Sequence, residues 1–190
     1  PVTEMITGQD LVEWQLRVAA GEPLPVTQEQ LAIRGHALEA RIYAEDPDRG
    51  FLPSTGRLVH LAPPAESLHV RVDTGVVQGD EVSIHYDPMI AKLIVWDETR
   101  GRALSRLKRA LTQYRIGGLT TNIAFLHNLL SCAAFAAEQV HTGFIEEHRA
   151  AIFREPAEAS ARLLPVATLY LLLRRERQVA ELAGRSADRH

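Results

Sequence analysis

The sequence is poor in the features that mark secreted and membrane proteins. Its 190 residues include one cysteine, Cys132, so no disulfide can form within the chain and no oxidising compartment is implied. The longest apolar run near the C-terminus covers residues 169–173, whereas a membrane-spanning helix needs about 20 residues. No signal peptide is recognisable. These absences predict a cytoplasmic protein. Because the first residue is Pro1 and not methionine, we expect a segment of a longer protein.

Complete catalytic and ligand sites are also missing from the sequence. It has no glycine-rich phosphate loop, no dinucleotide fingerprint and no serine in a nucleophile elbow. Eight histidines are present but no two are spaced four residues apart, so we predict no metal site. The formal net charge of −3 argues against a surface that binds nucleic acid.

Two patterns of apolar residues predict an α+β fold. Alternation over residues 35–44 and a continuous apolar run over residues 89–96 indicate two strands, the second nearly fully buried. Turn residues separate shorter predicted strands, at 57–61, 68–72 and 81–84. Helical periodicity predicts helices at 9–20 (begun by Asp10), 100–114, 121–130 (capped by Thr121 or Asn122), 133–139 and 146–153. We predict a small antiparallel sheet, a meander or barrel-like, with flanking helices.

The composition changes near Glu155, after which alanine, leucine, glutamate and arginine dominate. Pro165 suits the first turn of a helix, which we expect to run to Ala183 and to stop at Gly184. The chain is therefore predicted to consist of a domain at residues 1–153 and a helical extension at residues 154–190.

One face of the strand at residues 35–44 is charged and carries Glu39, Arg41 and Tyr43. A solvated salt bridge on a sheet surface explains this pattern and contributes little to stability. Alternatively, Glu39 holds Arg41 at a cleft, where the guanidinium presents its donors to an anion or a carbonyl oxygen. Asp87 lies in a turn before the buried strand, where an aspartate either caps the turn or takes part in chemistry.

Several segments together resemble biotin carboxylases. Residues 1–5 resemble the segment that follows the family's catalytic Arg-Leu-Gln-Val-Glu-His motif, and residues 34–47 and 51–56 are similar to the signature of its C-terminal domain. Further agreement is found at residues 86–93, 117–122 and 141–144. The resemblance covers about residues 1–153, and the signature that contains Arg41 is its most specific part.

The resemblance implies an ATP-dependent ligase that carboxylates N1 of biotin with bicarbonate. It implies that Arg41 is catalytic and contacts the ureido oxygen of biotin and the bicarbonate, with Glu39 and Asp87 in the same vicinity. It places Phe144 near the adenine of ATP, and it places Arg71 at a dimer interface, where Ser67 and Leu68 replace an aromatic residue of some members. Biotin is then a substrate on a carrier, because the biotinylated Met-Lys-Met motif is absent from this chain.

The resemblance also implies partners. ATP and Mg²⁺ would be bound mainly by an N-terminal ATP-grasp part before Pro1, and the isolated fragment would be inactive. A biotin carrier domain, a carboxyltransferase subunit and a second copy of the enzyme are further expected partners. Residues 154–190 resemble the start of the linking region in alpha subunits of methylcrotonyl-CoA or propionyl-CoA carboxylases. Two alternatives stay open: a non-catalytic dimerisation or assembly module, and an anion-binding domain unrelated to biotin.

Overall fold

A computed structural model of the chain describes residues 1–153 and 159–187, which form both strands and helices. The strands are β1 (His36–Tyr43), β2 (Glu45–Asp46), β3 (Leu52–Pro53), β4 (Gly56–Arg57), β5 (His60–Ala62), β6 (Val70–Thr74), β7 (Glu81–Val82), β8 (Met89–Asp97) and β9 (Arg115–Gly117). The helices are α1 (Val2–Thr7), α2 (Leu11–Ala19), α3 (Arg100–Gln113), α4 (Ile123–Ser131), α5 (Ala133–Ala136), α6 (Phe144–Glu147), α7 (Arg149–Ile152) and α8 (Ala159–Ala187). Two 3₁₀ turns occur at Gln28–Gln30 and Pro47–Arg49. The chain divides into two units, Pro1–Phe153 and Arg154–His190.

The main sheet has three antiparallel strands in the order β1-β8-β6. The remaining strands form two-stranded antiparallel pairs, β2 with β3, β4 with β7 and β5 with β9. The predicted α+β class with antiparallel pairing is therefore confirmed. The central strand β8 comes last of the three in sequence, so it joins strands that are separated by long connections.

The inner face of the main sheet packs against α3. Its buried apolar residues come from the predicted alternation of β1, the continuous apolar run of β8 and one side of α3: Ala40, Ile42, Leu93, Val95, Leu104, Leu107 and Leu111. Burial of each large aliphatic side chain stabilises the fold by about 1.5–3 kcal/mol. This packing fixes β1 with its charged face directed away from the core.

Some predicted boundaries differ from the observed ones. The predicted strand at 57–61 is two strands, β4 and β5, which pair with different partners on either side of the buried Leu58. The strand predicted at 68–72 begins at Val70, because Ser67 and Val70 exchange backbone hydrogen bonds in a tight turn. The predicted helix at 146–153 is interrupted at His148.

The sequence did not predict helix α1, whose six residues are too few to show helical periodicity. It ends at Gly8, which has a left-handed φ of 72°. The predicted helix after it is α2, and Asp10 caps it as expected by accepting hydrogen bonds from the backbone N–H groups of Val12 and Glu13. The two short helices therefore follow one another at a glycine and a capping aspartate.

Helix α8 differs from its prediction at both ends. It begins before Pro165, which lies inside it, and it continues past Gly184 to Ala187. Residues 154–158, where the composition changes, lie outside the described residues. Across the described residues, no helix is both long enough and apolar enough to cross a membrane.

A partly buried ion pair joins the end of β8 to α3. Asp97 Oδ2 lies 2.6 Å from Arg106 Nη2, and the other carboxylate oxygen accepts a hydrogen bond from the Glu98 N–H at 2.9 Å. The hydrogen bond from Arg106, followed by that from Glu98, lowers the pKa of Asp97. Because the folded-state pKa lies below the unfolded one, this stabilisation is present above the ordinary aspartate pKa and is lost as the pH falls through the lower folded value.

Arg106→Gln is therefore expected to lower the free energy of unfolding of the chain at pH 7, because it leaves the Asp97 carboxylate without its cation. The difference from the unsubstituted chain should shrink as the pH falls below about 4, the range in which unfolded aspartate becomes protonated. Urea unfolding at several pH values measures this. Arg149→Gln is the control, since the Arg149–Glu146 pair is exposed and should contribute less than ~1 kcal/mol. A difference that stays constant down to pH 2 would contradict the expectation.

Candidate functional site

Arg41 lies on the outward face of β1, between Glu39 and Tyr43, as the alternation predicted. Its Nε lies 3.3 Å from Glu39 Oε1. The Glu39 side chain is only 16% exposed, whereas that of Arg41 is 59% exposed. A largely covered carboxylate therefore anchors an arginine whose guanidinium stays accessible to a ligand.

The surroundings of Arg41 favour its charged form. The Tyr43 side chain, followed by that of Glu39, raises the pKa of Arg41 above its ordinary value. An arginine is already protonated at any physiological pH, so Arg41 is a permanent donor of hydrogen bonds. Such a group can stabilise a negative oxygen but cannot act as a general base.

The register of the main sheet adds residues to the charged face. Lys92 of β8 lies opposite Arg41, and Asp73 of β6 lies opposite Lys92. Directly opposite residues of antiparallel strands share a face of the sheet. Arg41 and Lys92 therefore bring two positive side chains next to each other, with the carboxylates of Glu39 and Asp73 beside them. Sequence analysis did not single out Lys92, although it is the one charged residue within the apolar run of β8.

Arg71 lies on the same face of the sheet, two residues before Asp73 on β6, and its guanidinium forms ion pairs within the chain. Its Nε and Nη2 bind the two carboxylate oxygens of Asp73 at 2.6 and 2.9 Å, and its Nη1 lies 2.6 Å from Glu4 Oε2. Asp73, followed by Glu4, raises its pKa. The other Glu4 oxygen accepts a hydrogen bond from the Leu11 N–H at 3.1 Å. Arg71 thus ties the α1–α2 junction to β6, while its predicted role at a dimer interface stays a prediction.

Asp87 lies at the Tyr43 end of β1. Its Oδ1 accepts a hydrogen bond from the Met89 N–H at 2.9 Å, so it does cap the turn before β8. Tyr43 lies opposite Met89, and the Ala44 N–H donates to the Pro88 carbonyl at 2.9 Å. Burial, and then the negative charge of Asp87, raises the pKa of the nearby Glu45. The structure therefore brings an acidic pair to the end of the strand that carries Arg41.

Phe144, the predicted adenine contact, is the first residue of α6 and is 3% exposed. Its ring centroid lies 4.5 Å from that of His148 and 6.0 Å from that of Phe135. The chain's own side chains therefore surround this ring, and its proximity to a nucleotide stays a prediction.

Sequence analysis assigned Asn122 to capping α4 and missed its main contact. Asn122 precedes α4, but its side chain makes no capping hydrogen bond. Its Nδ2 donates to the Arg41 carbonyl at 3.0 Å, and its Oδ1 accepts from the Tyr43 N–H at 2.9 Å. Sequence spacing gives no signal for a contact between residues about 80 positions apart.

Comparison with known proteins identifies the family of this arrangement. The family model described as "Biotin carboxylase C-terminal domain" matches residues 39–147, and that described as "Carbamoyl-phosphate synthase L chain, ATP binding domain" matches residues 1–27. The first of these segments contains Arg41, Asp87 and Asn122. The resemblance stated from the sequence is therefore confirmed at the level of the domain.

Individual relatives agree with this match. The chain is 56% identical over 174 residues to the mitochondrial methylcrotonoyl-CoA carboxylase subunit alpha of Dictyostelium discoideum, covering 92% of this chain and 25% of that protein. It is 50% identical over 188 residues to the same subunit of Rattus norvegicus, covering 99% of this chain and 26% of that protein. The chain thus spans about a quarter of the length of these curated relatives.

A solved structure shares the fold. It is the biotin carboxylase domain dimer of Hydrogenobacter thermophilus 2-oxoglutarate carboxylase, in complex with MgADP, ADP and bicarbonate. The match has a TM-score of 0.79 and 40% sequence identity, and it covers 82% of this chain and 34% of that chain. Because the domain model also accounts for more than half of the sequence, the chain belongs to the family of biotin carboxylase C-terminal domains.

Proposed function

We propose that this chain is the C-terminal part of an ATP-dependent biotin carboxylase within an acyl-CoA carboxylase, which carboxylates N1 of carrier-bound biotin with bicarbonate. The observation that carries the proposal is Arg41, an accessible guanidinium anchored by Glu39 inside the segment that matches the family. The names of the relatives at 50–56% identity, methylcrotonoyl-CoA carboxylase alpha subunits, support the acyl-CoA carboxylase assignment.

In the proposed mechanism Arg41 stabilises negative charge. Removal of the proton from N1 of biotin places charge on the ureido oxygen, and a donor already held in position lowers the energy of that anion. Glu39 limits the rotation of the guanidinium, so less conformational freedom is lost when the ligand binds. The positive charge of Lys92, opposite Arg41, favours an anion such as bicarbonate in the same region. We propose a supporting role near biotin for Asp87.

We propose that ATP and Mg²⁺ are bound mainly by an ATP-grasp part that adjoins residues 1–27, because this segment matches an ATP-binding domain family. Helix α2 supports such a partner. A groove of about 510 Å³ is lined by Leu11, Trp14 and Val18 of this helix and by Leu24 of the segment that follows it. Phe144 is a further proposed contact in the vicinity of the adenine.

Further partners are proposed for the complete enzyme. They are a biotin carrier domain, a carboxyltransferase subunit and a second copy of the enzyme, with Arg71 at the dimer interface; the related 2-oxoglutarate carboxylase domain is a dimer. We propose that residues 1–153 form the biotin carboxylase C-terminal domain and that residues 154–190 begin the link to the other parts. The proposed compartment is the cytoplasm, although the Dictyostelium and rat relatives are named as mitochondrial.

Biotin-dependent ATP hydrolysis tests the proposal. The full-length protein with ATP, Mg²⁺, bicarbonate and free biotin is expected to hydrolyse ATP and to fix labelled bicarbonate, and both activities should stop when biotin is omitted. The 190-residue chain alone should show neither activity, because it supplies only one side of the site. Absence of biotin-dependent turnover from the folded full-length protein would refute the proposed biotin carboxylase activity. Turnover by the isolated chain would refute the proposal that the chain supplies only one side of the site.

A further inference from the structure

We propose that Asn122 is a positioning residue for Arg41: its side chain fixes the backbone of β1 at the place from which the guanidinium projects. The inference rests on the proposed function of Arg41 and extends it to a residue whose side chain is hydrogen-bonded to the backbone of β1. It stands on hydrogen-bond geometry at the open edge of a strand.

The open edge of β1 creates the need for this contact. β1 lies at one side of the three-stranded sheet and pairs with β8 along its other edge. Backbone N–H and C=O groups that are removed from water require partners. At Arg41 and Tyr43 the partners come from Asn122, whose side chain accepts from the Tyr43 N–H at 2.9 Å and donates to the Arg41 carbonyl at 3.0 Å. The Asn122 N–H also donates to the Tyr43 carbonyl at 3.2 Å.

A carboxamide is suited to this position because it has a donor and an acceptor side by side, as a neighbouring strand would offer. Asn122 is 5% exposed, so water does not compete freely for these hydrogen bonds. A carboxylate would place a second acceptor against the Arg41 carbonyl, and an aliphatic side chain would leave both backbone groups unpaired.

The pairing of β1 is irregular at this point. Its register with β8 shifts between Ile42 and Tyr43, and such bulges change the direction of nearby side chains. The ladder to β8 therefore does not by itself fix the strand where Arg41 and Tyr43 must be oriented. The hydrogen bonds from Asn122 join the residues on both sides of the shift.

Helix α4 gives a second, independent indication that the Asn122 side chain serves β1. Asn122 occupies the N-cap of α4, where an asparagine ordinarily accepts a hydrogen bond from the first turn and stabilises the helix by about 1 kcal/mol. Its side chain makes no such bond. The Asn122 side chain therefore bonds to the backbone of β1 and leaves the first turn of α4 without a side-chain cap.

Loss of Asn122 should let the Arg41 segment move. Because a displacement of about 1 Å at a catalytic group can lower a rate about 100-fold, we expect Asn122→Ala in the full-length protein to lower biotin-dependent kcat by about 10- to 100-fold and to raise the KM for biotin. The KM for ATP should stay unchanged. A loss of folded enzyme would lower the apparent kcat but would leave both KM values as they were.

Asn128→Ala is the matched control. Asn128 lies in helix α4, which Asn122 precedes, and its part-buried side chain donates through Nδ2 to the Ile152 carbonyl at 3.0 Å, away from β1. It should keep both constants for biotin within about twofold, since removal of a hydrogen bond remote from the site alters stability and not binding. If Asn122→Ala does not fold, Asn122→Asp carries the test, because it keeps the acceptor for Tyr43 and loses the donor to Arg41.

Hydrogen exchange supplies a readout that does not depend on activity. The Tyr43 amide should exchange faster in Asn122→Ala than in Asn128→Ala, because Oδ1 of Asn122 is its hydrogen-bond acceptor. Unchanged exchange at Tyr43 in Asn122→Ala, or kinetic constants for biotin in either Asn122 variant equal to those of Asn128→Ala, would overturn the inference. If Arg41→Ala itself retains biotin-dependent turnover, the proposed function of Arg41 fails first. If Arg41→Ala is inactive while Asn122→Ala resembles the control, only the positioning role fails.

Discussion

Replacement of Arg41 by alanine in the full-length protein is expected to lower biotin-dependent turnover by about 10²- to 10³-fold, the loss that follows removal of one donor to a developing oxyanion. Because the Arg41 side chain is 59% exposed, water screens its pairing with the largely covered Glu39, and the pair should contribute little to the stability of the fold. The thermal unfolding midpoint should therefore change little. Steady-state ATP hydrolysis with and without biotin, together with fixation of labelled bicarbonate, measures the effect.

Arg41→Lys separates charge from geometry. It keeps the positive charge but loses the planar fork of donors, so it should recover only part of the turnover lost in Arg41→Ala. Arg102→Ala is the matched control, because Arg102 is also an exposed arginine held by one glutamate, Glu98, at 2.7 Å. Its turnover should remain within about twofold of the unsubstituted protein, as expected for a surface pair.

Charge reversal at Arg41 distinguishes a biotin carboxylase from a dimerisation or assembly module, one of the alternatives that the sequence left open. A biotin carboxylase with Arg41→Glu should lose carboxylation and keep its oligomeric state in sedimentation. An assembly module should instead lose its dimers and show no specific catalytic defect. The second result, or normal turnover by Arg41→Ala, would contradict the proposed role of this residue.

The long periodic elements of the fold could be predicted from the sequence, because periodicity depends on neighbouring residues alone. Strands β1 and β8 and helix α3 begin within a residue of their predicted limits. The Glu39–Arg41 contact could be predicted in the same way, since residues two apart on a strand lie on the same face of the sheet. Asp10 at the start of α2 follows from capping chemistry in the same way.

Contacts between distant segments could not be predicted in this way. The apolar run of β8 indicates a strand but does not show which of its residues lies opposite Arg41. The position of Lys92 on the charged face was therefore known only once the pairing of β1 with β8 was observed. Likewise, Asn122 has the local pattern of a helix cap, and its tertiary contact with β1 overrides that preference. Arg71 was predicted at a dimer interface, and its ion pair with Glu4 depends on the unpredicted helix α1.

The glycine pair at residues 117–118 offers a sharp test of the fold near Asn122. The two glycines differ in their surroundings. Gly118 has a left-handed φ of 111°, and a Cβ there would lie 2.1 Å from the Arg57 carbonyl oxygen and 2.9 Å from Val59 Cγ2. A Cβ at Gly117 would meet only the His60 Cβ, at 3.4 Å.

Gly118→Ala is expected to lower the free energy of unfolding by about 2–5 kcal/mol, because the positive φ costs about 1–2 kcal/mol and the overpacking about 1–3 kcal/mol. Gly117→Ala should change it by less than about 1 kcal/mol. Denaturant unfolding of the two variants measures the difference, and equal midpoints would contradict the close approach of Gly118 to Arg57. Since Gly118 lies four residues before Asn122, its displacement should also weaken the hydrogen bonds to β1. Hydrogen exchange at Tyr43 should therefore accelerate in the folded Gly118→Ala protein and stay unchanged in Gly117→Ala.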